Sequence, residues 1–561
     1  MRASLLVLVA VWLLPACGGA MPAAGGDGVV LAGPQVQVAE RRCLLLSTND
    51  SEAHFDGAKS SDGSGYLGTI SRVAAWKQRM AAERAGAVLL VEGGDVLQGR
   101  FMARADGDRG QAMRSAWQIY EQAGYDFGAL GNHEFDAGPK LLRFALQGLQ
   151  RYRLLAANVV AQGTSLEPSE SGRPAGLFGA SALADCGGIR VGLFGLLTPT
   201  SRTISQMGDV QMAADPLRQP ARQAVAELRS QGAQLVILLS HLGLEEDVAL
   251  ATDVTGIDVI VGGHSHTRMP RAQRVGETLI TQTGSRFADL GELEVVLDAD
   301  GHGLDPVRSR WSLRAIDTAL PVDAQVQAKV DQLRATLVPE RAIGYRKQAW
   351  DLTDPRGAYS LAATAALVKA GQQAVQSWQT ELRAPPVTAG LLNVGGFRSH
   401  TLYLAGPVTN LDIAAIHPFA NRAVLIEVSG QQLIDTLEHG CAPGSDGHGQ
   451  GLVFFGLSAR CDRTKPVARY RMVDGRPVEL VERGQRLVEG RIGGQPIDLK
   501  ARYRIATIDY LAKGGSGYFS LTQGDRRCFD GAVFSGDGKN CPSPMMADLI
   551  EGAVKAGTFE L

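Results

Sequence analysis

The 561-residue chain has no excess of either charge: Lys+Arg 56 face Asp+Glu 58, leaving a net charge of −2. That balance excludes a protein that holds a nucleic-acid polymer or a membrane by bulk charge. No apolar run beyond the first segment is long and uncharged enough to cross a bilayer. No Cys-x-x-Cys pair is present, which argues against a thiolate zinc site. There is no internal repeat, and no low-complexity tract beyond a Gly/Ala/Pro-rich stretch over 18–39. What is there is ordinary for a folded protein: hydrophobic residues make up 45% and charged residues 20%, which excludes a disordered chain. Gly 68 is high, but without a Gly-x-y period it reads as loop glycine. The length allows about three to four domains and at least one large core.

Arg2 precedes an apolar run, Leu5 to Leu14, of signal-peptide length. The run ends Leu14-Pro15-Ala16-Cys17, which resembles the lipobox of bacterial lipoproteins. The resemblance implies a signal peptide over 1–16, a lipid on Cys17 and a flexible tether over 17–40. The expected location is extracytoplasmic, anchored to a membrane in the periplasm or at the cell surface. The alternative is an ordinary cleaved signal with Cys17 incidental. Six cysteines remain, an even count that suggests disulfides in an exported protein. Six allow 15 connectivities; Cys528 with Cys541 flanks a Gly/Asp-rich loop, Cys441 with Cys461 closes another Gly-rich loop, and Cys43 with Cys186 is what would remain.

From Arg41 to about Leu313 short β-rich runs alternate with helical ones. Leu44–Ser47, Val88–Val91, Phe127–Leu130, Val191–Leu196, Leu235–Leu239 and Val259–Val261 read as strands, and Thr69–Arg84 as a helix. This is α/β alternation. Glu292–Leu297 reads as a later strand, and Asp323–Leu337 as a charged helix suited to a linker. A second, more irregular mixed region opens with a helix from Tyr359 to about Trp378. The expected division is a first domain over 41–315, a linker over 316–343 and a second domain over 344–561.

Metal-ligand residue types sit just past the ends of the strands. They are Asp50; Asp95 in Gly93-Gly94-Asp95; Asn132 and His133 in Gly131-Asn132-His133-Glu134-Phe135-Asp136; His241; and His264 and His266 in Gly262-Gly263-His264-Ser265-His266. Strand ends are where open α/β sheets build sites, and glycine lets backbone pass close to a ligand. A lone His or a Gly-Gly-Asp is ordinarily a surface residue or a turn. Four of the ten histidines falling in one such series is not ordinary. Asp, Asn and His donors without Cys suit two hard or borderline divalent cations bridged by a carboxylate.

These five blocks, in this order, resemble the calcineurin-like metallophosphoesterases. The resemblance covers about Arg41 to Leu313. It implies an α/β fold, a four-layer α-β-β-α sandwich, and two divalent metal ions of the Mn, Zn, Co or Mg type. By position, Asp95 bridges both; Asp50 and His266 hold one; Asn132, His241 and His264 hold the other. His133, oriented by Asp136, stabilises the transition state or the leaving group. In the second half, Asn393-Val394-Gly395-Gly396-Phe397-Arg398, His417-Pro418-Phe419-Ala420-Asn421 and Asp509-Tyr510 to Tyr518 resemble segments of 5′-nucleotidases. This implies a mixed α/β substrate-binding domain in which Asn393 and Arg398 meet phosphate, Phe419 and Tyr510 sandwich the base, and Ser516 lies near the ribose. Stacking suits any base because each has a π-face.

Three positions depart from the pattern. Glu52 stands in the position of a histidine ligand of the family and is the expected metal ligand in its place, with His54, two residues on, as the alternative. Ser516 stands where the family has an Asp. The segment that usually opens the second domain is not recognisable in Asp351–Leu361, although Arg356 lies there. The expected function is hydrolysis of extracytoplasmic nucleoside 5′-monophosphates by a two-metal hydroxide mechanism. A UDP-sugar, a cyclic nucleotide, another phosphoester or a thiosulfate ester are alternative substrates. A non-catalytic nucleotide- or metal-binding lipoprotein is the third reading. Oligomeric state is not encoded in these motifs.

Overall fold

The computed structural model describes residues 41–59, 66–98, 109–167, 178–336, 339–354, 356–378, 385–398, 402–442, 451–473, 476–534 and 541–561. The signal segment, Cys17 and the tether lie outside the described residues.

Along the strand Arg42–Thr48 the side chains alternate in what they meet. Leu44 and Leu46 join a core with the helices Ile70–Glu83 and Arg109–Ala123. Cys43 and Leu45 join a different core, shared with Val191, Leu193, Ile237 and Val259. The first strand therefore buries one face under helices and the other against a second sheet.

That pattern extends sideways. Arg42–Thr48 runs parallel to Val88–Glu92, then Phe127–Ala129 and Arg153–Leu155, and antiparallel to Asp289–Val296 on its other side. Among the described residues, seven strands form the first sheet and six the second. In the second sheet Leu235–His241 lies between the parallel strands Ile189–Leu197 and Val259–Val261. Its outer face, with Phe194, Val236, Leu238 and Ile260, is covered by the helices Arg218–Ser230 and Leu244–Asp253. Helix, sheet, sheet and helix make the four layers. Strands buried on both faces explain the continuous apolar runs.

All three cysteine pairs are joined: Cys43–Cys186, Cys441–Cys461 and Cys528–Cys541. The first ties the two sheets together inside their shared core. The charged helix read over Asp323–Leu337 is present as Ala324–Ala335. It packs Val326, Val330 and Leu333 into the first core, so it has an apolar stripe of its own.

A separate core begins at Ile343. Its five-stranded sheet runs Leu452–Phe455, Val387–Asn393, Arg502–Ile508, Ala423–Ser429, Asp525–Arg527. The helix Ala358–Gln376 covers it with Tyr359, Ala363, Leu367 and Val368. Val387–Asn393 and Arg502–Ile508 are parallel neighbours. The segments that follow them, with Arg398 and Tyr510, therefore leave the sheet at the same end. Among the described residues no helix is long and apolar enough to cross a membrane.

Candidate active site

The candidate ligands sit on loops with unusual backbone. Asp50 (φ 49°), Glu52 (48°), Asp95 (58°), His264 (72°) and His266 (53°) all lie in the left-handed region. Such residues cost about 1–3 kcal/mol each and persist only where the surroundings hold them. The Asp50 amide donates to the Gly94 carbonyl and the Glu52 amide to the Asp95 carbonyl, both at 3.0 Å. The Glu134 carboxylate accepts from the amides of Asp95, Val96, Leu97 and Gly131 at 3.2, 2.8, 3.0 and 2.6 Å. Burial, with Asp95 beside it, pushes this carboxyl up to about 7. Glycine is required at Gly131, where a Cβ would run into the Asp95 amide, and at Gly263, where it would meet the Gly93 carbonyl.

These loops bring donors together. One ligand atom each from Asp95, His241 and His264 lie within 4.8 Å of one another. His241 Nε2 is 3.0 Å from Asp95 Oδ2 and 3.2 Å from Asn132 Oδ1. His241 Nδ1 faces the Gly93 carbonyl at 2.8 Å. A proton on that nitrogen donates to the carbonyl and turns Nε2 inward, the usual arrangement of a histidine ligand. Alongside, His266 Nε2 lies 3.3 Å from Asp50 Oδ1, and the His264 amide donates to Asp50 Oδ2 at 2.9 Å. Burial would lower the His241 pKa, but Asp95 and Asp50 carry it up to about 10. The same carboxylate field would draw in a divalent cation. Oxygen and nitrogen donors, buried and pre-aimed, fit such ions.

His133 is the next layer. Its Nδ1 lies 2.8 Å from Asp136 Oδ2, and its amide donates to Asp95 Oδ1 at 2.9 Å. Burial opposes a charge on the ring, but Asp136 and Asp95 outweigh it and hold the imidazole above its usual range. Its Nε2 is 3.1 Å from Arg398 Nη2, and its ring lies 5.9 Å from that of Phe419, tilted by 34°. Residues of the second core thus reach the loops of the sandwich.

Arg398 Nη2 also donates to Gln98 Oε1 at 2.9 Å and to Glu52 Oε1 at 2.7 Å. Glu52 Oε2 accepts from Arg286 Nε at 2.7 Å. Burial would raise the Glu52 carboxyl, yet Arg286 and Arg398 hold it well below the usual range. The His266 ring is 3.9 Å from Glu52, while the His54 ring meets the Glu52 backbone carbonyl at 2.8 Å. Arg286, Gln98 and the collar formed by Glu134 are site residues that the motifs did not single out.

Phe419 and Asn393 line a recess with His417, Asn421 and Ile508. The Asn393 Oδ1 there is buried without a partner among the described residues. Tyr510 lies over Gly515. Its hydroxyl is 3.1 Å from Ser516 Oγ and accepts from the Ser516 amide at 2.9 Å. Burial raises the pKa of its phenol, and Asp136 adds to that.

Comparison with known proteins agrees with this arrangement. Residues 63–268 match the family model described as calcineurin-like phosphoesterase, and residues 355–523 match that of the 5′-nucleotidase C-terminal domain. A Treponema pallidum protein named "Probable 5'-nucleotidase" is 26% identical over 529 residues, covering 82% of each chain. The crystal structure of a 5′-nucleotidase precursor from Thermus thermophilus superposes with a TM-score of 0.74 at 27% identity. It covers 92% of this chain and 97% of its own. The sulfate thiohydrolase SoxB of the same organism shares the fold at TM-score 0.67 and 18% identity, over 92% and 94% of the two chains.

The sandwich and its strand-end donors define a calcineurin-like metallophosphoesterase, a class of hydrolase that uses divalent metal. With its second domain included, the chain belongs to the two-domain 5′-nucleotidase family of these enzymes.

Proposed function

We propose that the protein hydrolyses nucleoside 5′-monophosphates to nucleoside and phosphate outside the cytoplasm, with two divalent cations bound among the strand-end donors. The observation that carries this reading is the meeting at His133, where Arg398 (3.1 Å) and Phe419 (5.9 Å) of the second core reach the metal-ligand loops. Asp50 and His266 would hold one ion and Asn132, His241 and His264 the other, with Asp95 placed to serve both. Cations bound there supply Lewis acidity to a phosphoryl oxygen and make water a nucleophile near neutral pH. Arg398 grips phosphoryl oxygens with its planar fork. His133, oriented by Asp136, gives a proton to the departing alkoxide. Phe419 and Tyr510 take the two faces of the base.

The test is a phosphatase assay of the purified protein against a panel of nucleotides and other phosphoesters, with each divalent metal added back after chelation. Chelation is expected to abolish activity, and Mn²⁺, Co²⁺ or Zn²⁺ to restore it. Undiminished turnover after verified metal removal would sink the two-metal reading. Turnover of other esters, with none of nucleoside monophosphates, would sink the substrate.

Ser516 supports a second reading. It offers no carboxylate to a ribose, and its hydroxyl lies against Tyr510. That relaxed position favours a wider substrate range, such as UDP-sugars, cyclic nucleotides or non-nucleotide esters. Tyr510→Ala separates the two. Loss of one stacking ring costs about 1–3 kcal/mol in single-strand binders. The KM for AMP should rise correspondingly, while that for p-nitrophenyl phosphate changes much less. Equal changes would make Tyr510 a packing residue.

The lipid anchor on Cys17 belongs to the same proposal. Three disulfides suit an oxidising, extracytoplasmic compartment, and two or more acyl chains give stable attachment. Cys17→Ser is expected to release the protein from membranes or stall its processing. A variant that is cleaved normally yet stays membrane-bound rules the anchor out.

A further inference from the structure

A glutamate in place of a histidine ligand puts an extra negative charge into a buried place. Glu52 is 1% exposed. Each of its oxygens accepts from a different guanidinium at 2.7 Å, Oε2 from Arg286 and Oε1 from Arg398. Arg286 Nη2 also donates to the Arg398 backbone carbonyl. The three side chains form one cluster with a single net positive charge. A neutral histidine beside Arg398 alone would have the same charge, so Arg286 restores what Glu52 removes.

Arg286 is built into the site. Its φ of 56° lies in the left-handed region, and its amide donates to the Asp50 carbonyl at 2.9 Å. The strain is held by the loop that carries a candidate ligand. Two donors beside the cluster, Arg398 Nε and Gln98 Nε2, are buried without a partner among the described residues. Gln98 is 3% exposed. An unsatisfied buried donor is costly unless something accepts from it.

We propose that Glu52 and Arg286 are a coupled positioning pair. Glu52 is not a metal ligand; it aligns Arg286 and Arg398 as a two-guanidinium clamp for a dianionic phosphoryl group. The clamp rests on the phosphoesterase reading and deepens it, because two guanidiniums favour a phosphate monoester dianion over a diester monoanion.

The test uses the full-length, metal-loaded protein and three readouts other than turnover. These are affinity for inorganic phosphate by calorimetry, metal content by mass spectrometry, and melting temperature. Arg286→Ala is expected to weaken phosphate binding by about tenfold or more, since it leaves a buried carboxylate that competes for Arg398. Arg286→Lys should recover part of the affinity, with the charge but not the fork. Glu52→Gln combined with Arg286→Ala should recover at least about threefold of the affinity that Arg286→Ala loses, the non-additivity of a coupled pair. Glu52→Gln alone should keep its full metal content.

Loss of one metal equivalent in Glu52→Gln overturns the proposal, because Glu52 is then a ligand. So does a double variant whose losses simply add, and so does a wild-type protein that binds no inorganic phosphate. Should Arg286→Ala melt below the assay temperature, Arg286→Lys alone and combined with Glu52→Gln carries the same comparison. A protein that proves to act on another phosphoester still tests the pair, since no readout depends on nucleotide turnover.

Discussion

Asp95→Asn is expected to lower kcat/KM by a factor on the order of 10³, equivalent to about 4 kcal/mol, and to lower metal content with it. The side chain serves two loops at once. Its Oδ2 lies 3.0 Å from His241 Nε2, and its Oδ1 accepts from the His133 amide at 2.9 Å. Asparagine keeps the size and one acceptor, so the loops around it should hold. It removes the charge that burial opposes and that His241 and His133 stabilise, holding this carboxyl well below its usual range. In the proposed two-metal arrangement, a carboxylate that serves both ions has no neutral substitute. The measurement pairs steady-state kinetics with metal analysis on a variant whose circular dichroism matches the wild type. Full metal content together with near-native turnover would remove Asp95 from the centre of the site.

Much of this candidate site was legible because its candidate ligands follow strands, and the strands announce themselves. Leu44-Leu45-Leu46, Val88 to Val91 and Leu235 to Leu239 are buried on both faces and read as unbroken apolar runs. The first polar residues after such runs include Asp50, Asp95, Asn132 and His241. The runs do not say which sheet each strand joins, since a strand apolar on both faces carries no inside and outside. The two-sheet packing follows from the family resemblance and not from periodicity.

Arg286 lies outside that logic. The strand before it, Thr278–Thr281, has only four residues, Thr-Leu-Ile-Thr. The segment after it carries no ligand-type residue, so nothing marks it as a site. Its partner Glu52 is 234 residues away, and Arg398 is 346 residues from Glu52. Pairing over such distances is a product of the fold. Glu134 is visible inside a motif, but its work is to satisfy four backbone amides from two loops. Which amides lack partners is known only once the loops meet.

His133→Ala is expected to separate chemistry from metal binding. The hydrogen bond to Asp95 comes from the His133 backbone amide at 2.9 Å, which alanine keeps, while the ring Nε2 lies farther off, 3.8 Å from Asp95 Oδ2. Metal content should therefore stay intact. The side chain instead joins Asp136 through Nδ1, at 2.8 Å, and faces Arg398 through Nε2. Burial opposes a proton on this ring, but Asp136 and Asp95 favour it, and a histidine so placed can give a proton to a leaving oxygen. Removing such a group costs ~10²–10⁴ in rate. The cost should depend on what leaves. The 5′-alkoxide of a nucleoside is a strong base and needs the proton; p-nitrophenolate is a weak base and leaves without it. The loss of kcat on AMP is therefore expected to exceed the loss on p-nitrophenyl phosphate by about tenfold or more. Asp136→Asn should show the same pattern more weakly, because it keeps the shape that orients the ring and removes only the charge that favours its proton. Equal losses on both substrates would mean that His133 stabilises charge on the phosphoryl group itself. A loss of metal would mean that the ring supports the ligand loops, and the proton-donor role would fall.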